Sequence, residues 1–319
     1  MFEGFKIGLA LGGGAARGLA HIGVLKVLEE SEIPIDLIVG TSVGALVGGV
    51  YATTRSAAAT EKRFRDFIFS KQFKRAKFDF LKESRQASPR LLDSFVSLIK
   101  KGIFYSFSMA KTSWISAEHF EHNINGILDD VLLGETKIPF AAVATDINRG
   151  QEVVLREGRL RHVVSASSAV PGLLPPVRVD GRLLIDGGWI SKVPVLPALR
   201  LGASMVIGVD VSKEIEDTSA YRSGLNIMVR ANAVKAEALK EMQCRFADIL
   251  VEPDVDHVHW ADFSALVECI ALGEEAARSK IDEIRHQMKR SRWSSLLGYS
   301  RYRRLARAYM TQDDSDPIS

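Results

Sequence analysis

Short apolar runs alternate with one-sided helical patterns at the start of the chain. Residues 6–11 and 35–39 predict buried strands, because each is a nearly continuous apolar run too short for a helix. Residues 19–30 predict an amphipathic helix that ends before Pro34, and residues 45–52 predict a second, buried helix. Strands that alternate with helices in this way favour a parallel sheet with right-handed crossovers.

This alternation stops at residues 55–114 and returns near residue 139. Residues 139–146 and 151–155 predict two strands joined by an Asn-Arg-Gly turn, in which Asp146 is a turn residue. Asp180-Gly181 predicts a second, shorter hairpin. The remaining predicted elements are the hairpin strands 177–179 and 182–185, a helix from 194, a strand at 204–210, a helix at 225–247, a strand at 248–254 and a long amphipathic helix at 263–288. The sequence therefore predicts an α/β fold.

Length and composition fit one large α/β domain or two smaller ones. The 319 residues are 46% hydrophobic, which is enough for a sizeable core. The 42 Lys and Arg residues nearly balance the 39 Asp and Glu residues, so the overall charge indicates no class of partner. Cys244 and Cys269 form no C-x-x-C pattern, which argues against a disulfide framework or a zinc site and favours a reducing compartment. We expect no metal and no cofactor.

Two segments invite a membrane or export interpretation. The N-terminus does not resemble a secretory signal, because Glu3 lies in it and glycines interrupt the apolar run that follows. Residues 33–52 are long enough to cross a bilayer, and three of their glycines are spaced every fourth residue. An acid, a proline and four glycines disfavour that interpretation, since a buried strand and helix explain the same composition. We predict a cytoplasmic protein that can associate with a membrane surface.

A turn with the pattern G-x-S-x-G lies between the predicted strand 35–39 and the buried helix. It reads Gly40-Thr41-Ser42-Val43-Gly44. In a nucleophile elbow the serine occupies a strained position between strand and helix, and the glycines avoid collisions across the bend. The N–H groups at the start of the helix then face the point where an oxyanion forms. Ser42 is therefore a candidate nucleophile, supported by Gly40 and Gly44.

A glycine-rich loop, Gly12-Gly13-Gly14-Ala15-Ala16-Arg17-Gly18, follows the first predicted strand. A nucleotide-binding turn is one interpretation, but no acidic residue ends the second strand and no P-loop pattern occurs. A second interpretation is an oxyanion hole, because consecutive glycines leave their N–H groups unshielded. A third is that the glycines only allow tight packing of strand and helix. The residues alone leave these alternatives open.

The glycine loop and the serine turn together resemble the patatin-like phospholipase family. The third motif of that family, Asp-Gly-Gly, follows in the expected order at Asp186-Gly187-Gly188. The resemblance implies a three-layer α/β/α patatin-like fold with a mostly parallel central sheet, formed by residues 1–289 with a helical excursion. It also implies a serine esterase of phospholipase A or lysophospholipase type, which acts on phospholipid or lysophospholipid through a Ser42-Asp186 dyad.

The resemblance also assigns roles around that dyad. Asp186 accepts the proton of Ser42, Ser42 attacks an ester carbonyl, and water later releases the acyl group. The amides of Gly12, Gly13, Gly14 and Val43 are the expected oxyanion donors, and Arg17, Gly18, Gly187 and Gly188 have supporting roles. One position departs from the family, which commonly has asparagine where this chain has Lys192. That departure concerns the support of the loop more than catalysis.

Basic and aromatic residues are interleaved at residues 61–82, within the irregular segment 55–114. They suit contact with an anionic membrane, and the same composition suits nucleic acid, although we expect no nucleic-acid partner. The alternative is a helical excursion with its phenylalanines packed inward. We predict that 55–114 is a lid or insertion. The tail at 290–319 is basic and then acidic, and predicts a solvated helix with a frayed end or a second lipid contact.

Two rival functions remain on the sequence alone. An α/β-hydrolase would use a Ser-Asp-His triad, for which His257 and His259 occur in the expected chain order after Asp186 and Asp210. A membrane-recruited regulatory or adaptor protein would keep the same fold with little activity. The other histidines lie mostly on helix-like stretches and are expected to be structural.

Overall fold

The computed structural model describes residues 5–70, 116–212 and 224–296. The elements in chain order are β1 (Ile7–Leu11), a 3-10 helix (Ala15–Leu19), α1 (Ala20–Glu30), β2 (Leu37–Thr41), α2 (Val43–Thr54), α3 (Ala57–Ile68), α4 (Ala117–Ile127), β3 (Phe140–Asp146), β4 (Gln151–Leu155), α5 (Leu160–Ser167), β5 (Val177–Val179), β6 (Arg182–Asp186), α6 (Val195–Arg200), β7 (Met205–Val209), α7 (Gly224–Cys244), β8 (Ile249–Val251) and α8 (Leu266–Leu296).

The strands within the described ranges form one sheet of eight strands. Neighbours in the series β5-β6-β3-β2-β1-β7-β8 are hydrogen-bonded to each other, and β4 also pairs with β3. The five strands from β3 to β8 in this order run parallel, whereas β4, β5 and β6 are antiparallel to their neighbours. The central strands β1, β2, β3 and β7 are fully buried, because helices cover both faces of the sheet.

Two apolar cores lie on the two faces of the sheet. The larger core joins alternate residues of β1, β2 and β3 to the helices α1, α2, α5 and α8. The smaller core joins the opposite residues of these strands, such as Val39 and Val143, to α6 and to Phe246 and Ala247 after α7. This is the predicted three-layer α/β/α arrangement with a mostly parallel sheet, and the fold-class prediction is confirmed.

Strand β3 sets the relative position of two sequence-distant segments. Thr41, the last residue of β2, pairs with Val143 of β3. The next residue of β3, Ala144, pairs with Asp186 at the end of β6. Strand β4 occupies the other edge of β3, since it pairs there with the same Ala144 through Val153. Strands β2 and β6 therefore follow one another along a single edge of β3, and the residue after Thr41 comes next to Asp186.

The predicted strands and turns agree with the described structure to within a few residues. Asp180 and Gly181 both have positive φ, at 48° and 75°, as a tight two-residue hairpin requires. The carboxylate of Asp146 accepts hydrogen bonds from the amides of Asn148 and Arg149, which confirms its role in the turn. Helix α8 continues to Leu296, beyond the predicted end at 288.

The segment 33–52 folds as β2, a sharp turn and α2, so the strand-and-helix interpretation is confirmed. Among the described residues, no helix is both long and apolar enough to cross a bilayer.

The basic-aromatic segment is described only as far as residue 70, in α3. Phe64 and Ile68 are buried against the core, and Phe69 at the end of the helix is exposed. Lys62 pairs with Asp66 at 2.5 Å, and Arg65 with Glu61 at 2.6 Å. In this part the phenylalanine packs inward while the bases form surface ion pairs, as the non-membrane interpretation expects. The rest of the predicted lid (71–114) and the tail beyond 296 lie outside the described residues.

Candidate active site

Ser42 lies at the junction of β2 and α2, in a backbone conformation that few side chains adopt. Its φ is 56° and its ψ is −123°, a strained position that persists only where the surroundings enforce it. A Cβ on Gly44 would lie 2.1 Å from the Leu11 carbonyl oxygen, and one on Gly40 would lie 2.4 Å from Ala45 Cα. The two glycines therefore let α2 start directly beside β1 and β2, and Ser42 has the geometry of a nucleophile elbow.

Asp186 lies at the end of β6, beside the elbow, and is only 6% exposed. Its Oδ1 accepts a hydrogen bond of 2.8 Å from the amide of Gly188, and its own amide donates to the Ala169 carbonyl at 3.0 Å. A Cβ on Gly187 would lie 2.2 Å from the Val143 carbonyl oxygen, so the chain turns away in direct contact with β3. These contacts fix the direction of the carboxyl group.

The surroundings of Asp186 stabilise the protonated form of its carboxyl group more than water does. Burial raises the pKa of Asp186 from 3.8 to about 6, and hydrogen bonds from the Ser42 side chain and the Gly188 amide only partly offset this rise. The Ser42 contact brings together the two residues that the sequence predicted as a pair. A carboxyl group with a pKa near 6 is a stronger base than an exposed aspartate once it is ionised.

Two serines that the sequence analysis did not single out support the elbow. The Ser42 amide donates a hydrogen bond to Ser167 Oγ at 3.0 Å, and Ser167 Oγ donates to the Val143 carbonyl at 2.6 Å. Ser168 Oγ donates to the Ser42 carbonyl at 3.3 Å. Their sequence signal is the segment 165–176, which resembles a block that runs beneath the active site in bacterial patatin-like proteins but does not single out either serine.

The glycine loop lies beside the elbow, since β1 and β2 end side by side in the sheet. A Cβ on Gly13 would lie 3.3 Å from Ser42 Cβ, and one on Gly18 would lie 2.1 Å from Val43 Cγ1. The Gly12 amide donates to the Val209 carbonyl at 3.0 Å, and the Gly13 amide to the Lys192 carbonyl at 2.9 Å. These two amides are engaged within the fold, so the prediction that they act as oxyanion donors loses support.

Arg17 and His21 hold the glycine loop in place through hydrogen bonds to backbone carbonyls. Arg17 Nε donates to the Val258 carbonyl at 2.9 Å, which joins the 3-10 helix to the segment before α8. His21 is fully buried with its Nε2 at 2.7 Å from the Gly12 carbonyl oxygen. Burial lowers the pKa of His21 to about 4, so the neutral imidazole donates through Nε2. Both contacts are with backbone carbonyls and position the loop.

A cluster of charged side chains lies behind the loop, between β7 and α7. Lys240 pairs with Asp210 at 2.8 Å and with Glu237 at 2.5 Å. Glu237 also lies 3.5 Å from Lys192, the residue whose carbonyl accepts the Gly13 amide. Burial lowers the pKa of Lys192, whereas the contacts with Asp210 and Glu237 outweigh burial and raise that of Lys240. The lysine that departs from the family pattern is thus part of an ion network.

An apolar cavity of about 150 Å³ opens at Ser42. Its lining comes from the elbow, from helices α2, α3 and α4, and from the segments 168–174 and 260–263. The apolar lining residues include Leu46, Phe64, Phe67, Phe120, Ile124, Ile127, Leu173, Leu174 and Phe263. A serine in the lining of such a cavity can meet a polar group whose neighbouring chain is apolar.

The histidines of the rival triad have other partners. His257 is exposed, and its Nε2 lies 2.9 Å from Glu268 Oε1. His259 packs its ring against Trp260, with a centroid distance of 5.6 Å. Asp210 is paired with Lys240. These contacts give the triad no support. Over the described ranges, no group of three or more His, Cys, Asp or Glu side chains is arranged to hold a metal ion.

A known protein family matches this chain over the residues that contain Ser42 and Asp186. The profile of the family described as patatin-like phospholipase matches residues 9–199. The human patatin-like phospholipase domain-containing protein 6 is 34% identical over 258 residues, which cover 77% of this chain and 17% of that protein. Lysophospholipase NTE1 of Mycosarcoma maydis is 34% identical over 221 residues, which cover 69% of this chain and 10% of that protein.

The chain therefore spans less than a fifth of the length of these relatives. Among solved structures, VipD from Legionella pneumophila aligns with a TM-score of 0.44 and 13% identity, over 88% of this chain and 67% of that one. The family profile covers more than half of the chain, from β1 to α6, and includes both the serine elbow and the Asp-Gly-Gly turn. The chain belongs to the patatin-like phospholipase family.

Proposed function

We propose that this chain is a lipid acyl hydrolase that cleaves carboxylic esters through a Ser42-Asp186 dyad and an acyl-enzyme. The observation that carries the proposal is that the segments of both residues meet along one edge of β3, where Ser42 lines an apolar cavity. The family to which the chain belongs, with relatives named phospholipase and lysophospholipase, supports a lipid substrate.

In the first half of the reaction, the Asp186 carboxylate accepts the proton of Ser42 Oγ as the oxygen attacks the ester carbonyl. The tetrahedral intermediate collapses, the alcohol leaves with the proton from Asp186, and the acyl group stays on Ser42. In the second half, Asp186 deprotonates a water molecule that attacks the acyl carbonyl, and the tetrahedral intermediate collapses as Asp186 returns the proton to Ser42 Oγ, which releases the carboxylic acid and restores the free enzyme. The hydrogen bond between Ser42 and Asp186 supports direct proton transfer without an imidazole.

Gly14 and Val43 are the best-supported oxyanion donors. Among the described residues no hydrogen bond from either amide is seen, whereas those of Gly12 and Gly13 are engaged. Val43 is the first residue of α2, where the N–H groups carry the positive end of the helix dipole. Two amides directed at the developing charge are the usual arrangement for acyl transfer.

From the apolar cavity we infer that the acyl group is the part of the substrate that lies inside the protein. Most of its lining side chains are aliphatic or aromatic, so a hydrocarbon chain loses contact with water there. The glycerol and headgroup side of the ester would then face outward. We propose phospholipids or lysophospholipids as substrates.

The test is product analysis on a panel of phospholipids and lysophospholipids, together with labelling by a fluorophosphonate. We expect wild type to release fatty acid and to be labelled at Ser42, and we expect Ser42→Ala and Asp186→Asn to lose activity by at least about 10³-fold. His257→Ala is the control and should keep near-wild-type turnover. A large loss in His257→Ala or His259→Ala would favour the triad, and an unlabelled Ser42 would favour the adaptor function.

The pH dependence of kcat/KM tests independently whether Asp186 is the base. Because Asp186 must be ionised to accept the proton and its pKa is raised to about 6, kcat/KM should rise as the pH increases through about 6. A rate that is flat from pH 5 to pH 8 would argue against Asp186 as the base.

A further inference from the structure

A second cavity, of about 330 Å³, lies directly beside the apolar cavity at Ser42. Phe120 and Ile124 of α4 line both cavities. The segment after α5 also passes from one to the other, since Leu174 lines the apolar cavity and Pro175 lines the second one. We name the second cavity the basic pocket, after the polar residues in its lining: Arg159, Arg161, His162, Ser165 and Arg178.

Positive charge exceeds negative charge in the basic pocket. Its three arginines face a single acid, Glu121, among the described lining residues. Arg159 pairs with Asp130 at 3.0 Å, outside the lining. Within the described ranges neither Arg161 nor Arg178 has an ion-pair partner. A concave surface with an excess of one charge attracts ligands of the opposite charge, so the pocket suits an anion.

Arg161 is held in a fixed orientation in this pocket. Its Nε donates to the Leu128 carbonyl at 2.9 Å, and its Nη2 contacts the Asn125 carbonyl at 3.4 Å. A guanidinium group has five N–H donors, so these two bonds leave further donors for a ligand. A planar guanidinium in a fixed position is well suited to the oxygens of a phosphate group.

Ser165 supplies an independent sign of a ligand. It is only 7% exposed and lies in the lining of the basic pocket. Its hydroxyl makes no hydrogen bond to any residue that the structure describes, although buried hydroxyl groups normally have a partner. Ser165 and Arg161 are four residues apart on α5 and are therefore neighbours on one side of the helix. An oxygen-rich anion between them would accept from both.

The basic pocket lies at a short distance from the nucleophile. Ser168, which caps α5, lines the apolar cavity and donates to the Ser42 carbonyl at 3.3 Å. Ser165 lies three residues before it, and residues at this helical spacing have Cβ atoms about 5–6 Å apart. In a glycerophospholipid about six bonds separate the ester carbonyl carbon from the phosphorus, which is a reach of about 7 Å. The two lengths are of the same order.

We propose that the basic pocket binds the phosphate group of a phospholipid or lysophospholipid whose ester lies at Ser42. Arg161 and Arg178 bind the phosphate oxygens, and the Ser165 hydroxyl donates a hydrogen bond to one of them. The acyl chain lies in the apolar cavity and the glycerol unit joins the two sites. This assignment rests on the proposed function for the place of the ester, and it gives a reason for preferring phosphoglycerides to neutral acylglycerols.

The experiment compares two ligands that differ only in the phosphate group, a lysophosphatidic acid and the monoacylglycerol with the same short acyl chain. All proteins carry Ser42→Ala so that both ligands stay intact, and titration calorimetry below the micelle concentration measures their affinities. We expect lysophosphatidic acid to bind at least about tenfold more tightly. Arg178→Gln should weaken lysophosphatidic acid about tenfold, as the loss of one charge-assisted hydrogen bond implies, and Ser165→Ala about threefold. Neither should change the affinity for monoacylglycerol.

Arg156→Gln is the matched control, because Arg156 is also an exposed arginine but does not line the pocket. It should keep the affinity for lysophosphatidic acid within twofold of the parent, and unchanged melting transitions would show that all variants are folded. The proposal is overturned if Arg178→Gln binds lysophosphatidic acid as tightly as the parent, or if the two ligands bind equally well to the parent.

Inorganic phosphate is the third probe and should compete with lysophosphatidic acid. Phosphate that binds in a manner sensitive to Arg178→Gln, but does not compete, would indicate a site for a free phosphate ester and would also overturn the proposal. Because these measurements use a chain without the Ser42 hydroxyl, an absence of hydrolysis by wild type would refute the proposed function and leave their outcome unaffected.

Discussion

Helices α2 and α7 are both rich in small and apolar residues, but they are placed in opposite ways. Helix α2 is buried nearly all round, contains no charged side chain, and packs between the sheet and α1, α3 and α5. Helix α7 exposes the apolar residues Ile227, Met228, Val234 and Met242, and it buries Lys240 against Asp210. Apolar composition therefore identifies residues that need a nonaqueous partner without saying where that partner lies.

The two helices also support the site by different physical means. Helix α2 positions Ser42 through close packing of backbone on backbone, in which a single methyl group has no space. Helix α7 acts on the glycine loop from a distance, through Glu237 and Lys192, whose carbonyl holds the Gly13 amide. Substitutions should therefore affect the two supports through sterics in one case and charge in the other.

The largest effect is expected for Gly44→Ala in α2. The new Cβ would lie 2.1 Å from the Leu11 carbonyl oxygen, so the backbone of the elbow must shift. We expect a loss of about 4 kcal/mol in the free energy of unfolding and no fluorophosphonate labelling of Ser42. Gly224→Ala in α7 is the matched control, since no atom lies within 4 Å of its new Cβ. Urea denaturation measures both, and equal effects would contradict the difference between the helices.

The next effect is expected for Lys240→Met on the inward side of α7. Removing the ammonium group leaves Asp210, which is 6% exposed, without its ion-pair partner. We expect a loss of about 3 kcal/mol in stability, because an unpaired buried charge is costly. The double variant Lys240→Met with Asp210→Asn should recover most of it. A double variant as unstable as the single one would mean that lost packing, not charge, is responsible.

A somewhat smaller effect, of opposite sign, is expected for Asp186→Asn. Folding raises the pKa of Asp186 from 3.8 to about 6, so the folded state favours the protonated carboxyl and ionisation destabilises it. Wild-type stability should therefore fall relative to the variant as pH rises from about 4 to 6. Above pH 6 the variant should be more stable by about 2–3 kcal/mol, which thermal unfolding at pH 4 and pH 8 can measure. The same advantage at both pH values would contradict this origin.

The smallest effect is expected for Val234→Ser on the outward side of α7. The side chain is 49% exposed, so removing its methyl groups should change stability by less than about 0.5 kcal/mol. Val47→Ser in α2, where the side chain is fully buried, should cost about 2 kcal/mol or more. Urea denaturation of the two variants measures both changes in stability. Equal losses would contradict the difference between the outward side of α7 and the buried α2.

Local patterns in the sequence were sufficient for most of the fold. The runs at residues 6–11 and 35–39 predict β1 and β2, because parallel strands buried on both faces are continuously apolar. The turn at Asp180-Gly181 is equally local. Ser42 and Asp186 were predicted as a pair through family resemblance, since nothing local relates an elbow to a turn so distant in the chain.

Interactions between distant segments account for what the sequence could not supply. The amides of Gly12 and Gly13 are engaged by the carbonyls of Val209 and Lys192, which depends on how β7 and the segment after β6 meet the loop. The orientation of α7 is of the same kind. Its periodicity predicts a helix but does not say that Lys240 faces Asp210 while Ile227 faces solvent.

The end-to-end pairing of β2 and β6 on one edge of β3 makes the spacing of Ser42 and Asp186 independent of the length of the segments that connect these three strands. Thr41 pairs with Val143 and Asp186 pairs with Ala144, so one residue of β3 separates the two pairings. The segments after α2 and after β4 can change in length or sequence without altering this spacing. The connecting segments are therefore where chimeras between relatives should be joined, because changes there leave the relative position of Ser42 and Asp186 intact.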